Sequence, residues 1–237
     1  MNLPILRLPE DGEGTLIERK NRFLGIVDID IPQKEKKVFV HIHDSGRLPD
    51  LLYPGNRVKL ERKDYPSRKT KWDIVQAADR GHWILTHSGY HSKIAKTLLE
   101  RGFITYIKDI EIIKPEPKVK NGRLDFLVQT KSKEIWIEVK GCTLKKGNIA
   151  LFPDAPTKRG QKHIKNLISL KKEGKNVALI FLVLRPDVRC FSPNREIDPI
   201  FYKLFTELMK NHINIHPILL RIQRGFLYYQ KEIPICL

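Results

Sequence analysis

An aspartate, a glutamate and a lysine lie close together in GRLDFLVQTKSKEIWIEVKGCTL, residues 122–144: Asp125, Glu138 and Lys140. Two carboxylates with waters between them suit Mg²⁺ or Mn²⁺, hard cations that keep part of their water shell and take few protein ligands. Such an ion polarises a phosphodiester oxygen and acidifies an attacking water, while a lysine neutralises charge on the scissile phosphate. Hydrolysis of a nucleic-acid backbone is the chemistry these three residues would serve. The plainer alternative is a solvated hairpin carrying a surface ion pair.

Which of these holds depends on the elements that carry the residues. DFLVQT and EIWIEVK read as an antiparallel hairpin turning at Ser132 and Lys133, so that opposed residues have numbers summing to 265. The two-residue period then sends Phe126, Val128, Ile135, Ile137 and Val139 to a core face. Asp125, Leu127, Gln129, Trp136, Glu138 and Lys140 go to the other face, with Asp125 directly opposite Lys140 and Glu138 one step along. Two acids side by side repel unless Lys140 or a bound cation compensates.

Around the hairpin, a helical period begins after Gly89, with Ile94, Ala95, Leu98 and Leu99 on one face and Gly102 as a stop. ITYIKDIEII reads as a strand. Thr157 caps a helix with Ile164, Leu167 and Ile168 inward, ending at Gly174. NVALIFLVL is a strand apolar on both sides, as in a sheet covered by helices. Asp198 and Pro199 open a further helix, and the strand INIHPILLRI follows.

Residues 1 to about 83 differ. RFLGIVDIDI, KKVFVHIHD, NRVKLERK, KWDIVQAA and WILTH are short strands separated by segments rich in Pro, Gly, Asp and Ser. A five-stranded OB-like barrel is the economical reading, and such barrels bind single strands or oligosaccharides. The expected fold class is therefore mixed α/β: a small all-β OB-like barrel, residues 1–83, followed by an α/β sandwich, residues 84–237.

Charge is distributed unevenly between these parts. Residues 1–83 carry 16 Lys and Arg against 13 Asp and Glu, whereas residues 84–237 carry 28 against 14. A polyanion is the natural partner of the second part, with a Lys-rich solubility surface as the alternative. No apolar run approaches membrane-spanning length, and MNLPILRLPEDGEGTL lacks the basic lead of a secretory leader. Cys142, Cys190 and Cys236 are odd in number and far apart, so they read as buried thiols in a reducing cytoplasm.

Further candidates each carry two readings. In FPDAPTKRGQKHI, residues Lys158, Arg159 and Lys162 stand at a helix start that suits a phosphate, while Asp154 and Thr157 also simply build a turn and a cap. His163 either joins the carboxylate site or makes a structural hydrogen bond. LERKDYPSRKTKW joins Arg62, Lys63, Arg68, Lys69 and Lys71 to Tyr65 and Trp72, the mixture of a single-strand groove or of a solvated loop over core aromatics. Trp136 either stacks on a base or packs under a loop. His41 and His43 form an H-x-H whose third metal ligand is not evident, so an exposed strand face is the simpler account.

The spacing D-x12-E-x-K resembles that of the PD-(D/E)xK nuclease superfamily. GRLDFLV, IEVKGCTL, FPDAPTKRGQKHI, EIDPIF and SGRLPDLLYPG together resemble the sugar fermentation stimulation protein family of bacteria and archaea, over nearly the whole chain. The resemblance implies an OB-like domain followed by a nuclease-like α/β domain, DNA binding, and a proposed regulatory link to sugar, notably maltose, metabolism. It implies a nuclease-like triad of Asp125, Glu138 and Lys140, with Glu100 as a further metal-side acid. The chain departs from the family at Asp44, Ser45 and Gly46, where Asn-Thr-Gly is more usual, and near Gly141 and Cys142. The expected function is DNA binding, single- or double-stranded, with a nuclease-like site for Mg²⁺ or Mn²⁺. An active metal-dependent DNA endonuclease or phosphodiesterase is the alternative, and an OB-type binder of a sugar or small ligand the second.

Overall fold

The computed structural model describes residues 4–237, so the first three residues of the segment read for a secretory leader lie outside it. Among the described residues no helix is long and apolar enough to cross a membrane. By its contacts the chain divides into two compact units, Met1–Tyr90 with Arg221–Tyr228, and His91–Leu220 with Tyr229–Leu237.

The first unit contains β1 (Pro4–Arg7), β2 (Gly12–Arg19), β3 (Leu24–Ile31), β4 (Glu35–Ile42), β5 (Arg57–Arg62), β6 (Trp72–Asp79) and β7 (His82–Leu85). Strands β4, β3, β2, β5 and β6 pair in that order. Parallel pairing of β4 with β6, from Val40↔Trp72 to Ile42↔Ile74, closes them into the five-stranded OB-like barrel. Inward positions Leu16, Val27, Val40, Val58 and Leu60 are wholly buried, as the two-residue period requires.

One strand of the barrel was not legible. WILTH is not a barrel stave but β7, an antiparallel addition to β6, and the missing stave is β2. Glycines and charges mask the alternation of β2, and one of those glycines is obligatory. A Cβ on Gly14 would lie 2.3 Å from the Asp28 carbonyl oxygen of β3, so only glycine lets the two backbones approach.

The second unit holds α1 (His91–Glu100), β8 (Ile110–Pro115), β9 (Lys118–Val119), β10 (Gly122–Arg123), β11 (Phe126–Thr130), β12 (Glu134–Cys142), β13 (Leu144–Lys146), β14 (Ile149–Phe152), α2 (Lys158–Lys172), β15 (Asn176–Val183), β16 (Cys190–Pro193) and α3 (Pro199–Lys210). A hairpin of β17 (Asn214–Gln223) and β18 (Phe226–Glu232) completes the chain. The main sheet runs β8, β11, β12, β15, β17, with β12, β15 and β17 parallel and β8 and β11 antiparallel. α1 packs on one face of β12 and β15. α2 and α3 cover the other face, where Leu167 and Phe205 share a core with Leu179 and Phe181.

The hairpin register differs from the expected one. Phe126 pairs with Ile137 and Gln129 with Glu134, so opposed numbers sum to 263 and the turn falls at Lys131 and Ser132. The Thr130 hydroxyl sets it, donating to the Lys133 carbonyl at 2.9 Å and accepting from the Lys133 amide at 3.1 Å. A shift of two preserves parity, so each side chain keeps its expected face. The register ends at Phe126, and the Asp125 amide donates to the Ile137 carbonyl at 3.1 Å, so Asp125 does not stand directly opposite Lys140.

The cysteine expectation is corrected as well. Cys190 and Cys236 form a disulfide, and only Cys142 is a free, buried thiol. The terminal segment returns along β16, the Cys236 amide donating to the Phe191 carbonyl at 2.8 Å. Such a return is invisible to sequence spacing.

Candidate functional site

Glu138 sits mid-strand on β12, beside Leu179 of β15, on the face that α2 and α3 cover. It is 1% exposed, so this face is not a wet surface. A carboxylate at such a depth needs cations beside it. Lys140 supplies one and His163 adds a ring nitrogen: Lys140 Nζ and His163 Nδ1 both reach Glu138 Oε1. Lys140 and His163 are also 3.3 Å apart. Glu138 Oε2 is buried and has no hydrogen-bond partner among the described residues.

Asp125 lies at the bend before β11, where its Oδ2 accepts from the Val139 amide at 2.6 Å. Its pKa is pushed up to about 6, first by burial and then by the charge of Glu138, against the pull of the Val139 amide, Lys140 and His163. Glu138 moves the other way. Burial alone would raise its pKa, but Lys140 and His163 hold it below the usual carboxylate range. The pair is therefore asymmetric, one ionised acid held by cations and one titrating near pH 6.

His163 is in place because of how α2 starts. Thr157 caps the helix, its hydroxyl accepting from the Gly160 amide at 3.0 Å, so the capping reading of this residue holds. Asp198, the cap of α3, accepts from the Thr157 amide at 2.9 Å, from Phe201 at 2.8 Å and from the Gln161 side chain at 3.0 Å. One buried aspartate thus fixes the first turns of two helices, and His163 follows on the inward face of α2. On the other face of the sheet a Cβ on Gly141 would lie 2.2 Å from the His91 ring, so the strand after Lys140 must carry glycine.

The remaining candidates divide. Glu100 is half-exposed and pairs with Lys96 on its own helix at 3.6 Å, apart from this cluster. Lys158 and Arg159 are exposed at the start of α2. In the barrel loop Lys69 and Lys71 are exposed, and Tyr65 is 63% exposed. Arg62 pairs with Asp64 at 2.8 Å, Lys63 is bound to Glu61, and Arg68 to Asp73. Trp72 is 3% exposed, packed inside the barrel against Gly12, so the core reading applies to it. Trp136 packs against the core under α2 and α3, its indole nitrogen buried.

Sequence reading missed a second cluster. Glu61, Asp73 and His87 of the barrel unit place three ligand atoms within 4.8 Å of one another, a spacing that could hold a metal ion. The chain itself, however, supplies a donor to each carboxylate oxygen. His87 Nε2 is buried without a hydrogen-bond partner among the described residues, 3.7 Å from Asp73 Oδ2. Glu61 takes Lys63 and the Tyr90 hydroxyl, the latter at 2.7 Å, and both Asp73 oxygens take the Arg68 guanidinium. His87 Nδ1 accepts from the Gly89 amide at 3.2 Å, which puts the ring proton on Nε2, the nitrogen facing Asp73. The aromatic row His41, His43, His87 and Tyr90 beside it was foreshadowed only by the H-x-H spacing.

Comparison with known proteins gives a consistent family. The SfsA N-terminal OB domain matches residues 17–86 and the sugar fermentation stimulation protein RE domain residues 89–225. A sugar fermentation stimulation protein homolog from Methanococcoides burtonii is 40% identical over 237 residues, covering 98% of this chain and 95% of that protein. The Thermotoga petrophila homolog is 40% identical over 232 residues, covering 98% of each. The solved structure of Pyrococcus furiosus SfsA in complex with Ca²⁺ superposes with a TM-score of 0.91 at 28% identity, covering 99% of this chain and 100% of that one. On these matches the chain belongs to the sugar fermentation stimulation protein (SfsA) family.

Proposed function

We propose that this protein binds DNA and cleaves its phosphodiester backbone at the Asp125–Glu138–Lys140 cluster with a divalent cation. The observation that carries the reading is Glu138 Oε2, a buried carboxylate oxygen without a hydrogen-bond donor, beside a second carboxylate. A native protein seldom leaves such an oxygen orphaned unless a ligand completes it. Two carboxylates and waters fit Mg²⁺ or Mn²⁺, and the Ca²⁺ complex of the Pyrococcus furiosus relative supports a divalent cation in this family.

Asp125 and Glu138 would hold the ion. When bound, it would supply Lewis-acid polarisation of the phosphoryl oxygen and a more acidic water. The rest is done by the chain. Lys140, 14% exposed, keeps its ammonium within reach of an incoming phosphate and offsets the charge that develops there. His163 fixes the Glu138 carboxylate by holding Oε1, which leaves Oε2 in one orientation. Asp125 gives up its proton near pH 6 and is charged at neutral pH. A regulatory role in sugar metabolism, as the family name suggests, would act through the same DNA contact.

The test is incubation of labelled single- and double-stranded DNA with wild type and Glu138→Gln, in Mg²⁺, in Mn²⁺ and in chelator. Metal-dependent products from wild type alone are expected. Intact but retarded DNA with both proteins would remove the cutting and leave the binding.

A further inference from the structure

Helix α2 places His163 over Glu138 with one side and turns a different chemistry outward with the other. Its fifteen residues, KRGQKHIKNLISLKK, contain six Lys and Arg and no acid. Gly160, His163, Ile164 and Leu167 define the buried side. At 100° per residue Lys158, Lys162, Lys165, Ser169 and Lys172 fall on one line directly opposite, and all five are exposed. Lys172 pairs with Glu207 at 3.7 Å. Lys158, Arg159, Lys162 and Lys165 have no ion-pair partner among the described residues. Arg159 stands one turn before His163, on the flank between the stripe and the carboxylate cluster.

Four neighbouring cations without counter-charges repel each other, and a polyanion relieves that repulsion. The barrel loop, by contrast, has its Lys63 and Arg68 neutralised by its own acids, which leaves two exposed cations, Lys69 and Lys71, against four on α2. The stripe is also rigid and free of exposed aromatic rings, whereas single-strand grooves interleave cations with rings on which bases stack. It therefore offers contacts to phosphates at fixed spacing over about 21 Å of helix, and no exposed ring on which a base could stack.

We infer that the outer face of α2 is the docking surface for the phosphate backbone of duplex DNA, contacted without regard to sequence. This rests on the reading of the protein as DNA-binding. It places the backbone no more than one helix diameter, about 10–12 Å, from the side chain that orients Glu138.

The experiment measures duplex binding against salt for wild type and two charge-matched triple variants, each checked for folding by circular dichroism. One is Lys158→Gln, Lys162→Gln, Lys165→Gln; the other is Lys34→Gln, Lys69→Gln, Lys71→Gln in exposed barrel loops. Each lost phosphate contact removes about 0.9 from the slope of log K against log salt. The α2 variant is expected to lose about 2 to 3 from that slope and to bind at least about tenfold more weakly at low salt, with the barrel variant close to wild type. Equal losses in the two variants, or a loss confined to the barrel variant, would overturn the α2 surface while leaving DNA binding intact. So would tighter binding of single strands than of duplex by wild type. Failure of wild type to bind any DNA would remove the underlying reading as well.

Discussion

Each unit of the molecule has a pair of neighbouring acidic residues, and the two pairs are finished differently. In the barrel, all four oxygens of Glu61 and Asp73 have a donor from Lys63, Tyr90 or Arg68. Burial works against the Asp73 charge, but His87 and Arg68 outweigh it and its pKa falls. In the α/β unit, Lys140 and His163 crowd one oxygen of Glu138 and leave the other bare, and the Asp125 pKa rises to about 6. In the first cluster two acids and a histidine bring ligand atoms within 4.8 Å of one another, and its one unpartnered atom is His87 Nε2, not a carboxylate oxygen. What distinguishes the second is incomplete neutralisation, and a carboxylate left short of cations is the one with capacity to accept another.

The comparison breaks most directly at Asp125. Asp125→Asn should lower metal-dependent cleavage at least about 10³-fold, roughly 4 kcal/mol of barrier, measured on labelled duplex at saturating Mn²⁺. The same change should leave the protein folded.

In the barrel the effect should fall on stability alone. Asp73→Ala leaves Arg68 without its carboxylate partner and should destabilise by about 2–4 kcal/mol in urea unfolding, somewhat less than a fully buried pair because Arg68 is 25% exposed. Cleavage per folded molecule should not change. Asp198→Ala lies between these outcomes, since it removes a helix cap and the ties to Thr157 and Gln161. A stability loss of about 1–3 kcal/mol is expected, together with weaker cleavage as His163 loses its fixed position.

The two aspartates should also give opposite pH slopes. The folded-state pKa of Asp73 is depressed, so its contribution is present above the unfolded value near 4 and is lost as pH falls below it. That of Asp125 is raised, so metal-free wild type loses stability as pH rises from about 4 to about 6. Thermal melts in chelator should show Asp125→Asn gaining on wild type across that window, by on the order of 1–3 kcal/mol. Added Mn²⁺ should stabilise wild type selectively.

How much of this was legible follows from the range of each signal. Local patterns carried the short strands, the Thr157 and Asp198 caps and the sorting of side chains along β11 and β12, because all depend on neighbours in sequence. The stave β2 escaped because Gly14 is dictated by the approach of another strand. The disulfide between Cys190 and Cys236 escaped because it joins segments 46 residues apart. The depth of Glu138 depends on α2 folding back over β12, and the neutralisation of Lys63 and Arg68 depends on which acids the barrel brings beside them. Residue types raised the proposed chemistry; only the packing distinguished charges already neutralised from those left available.

Calorimetric titration of Mn²⁺ into wild type, Glu138→Gln and Asp73→Asn tests the distinction between the two clusters directly. Binding that is retained in Asp73→Asn and lost in Glu138→Gln is the result this account predicts. Binding lost in Asp73→Asn and retained in Glu138→Gln, with both variants folded, would contradict it and move the cation to the barrel.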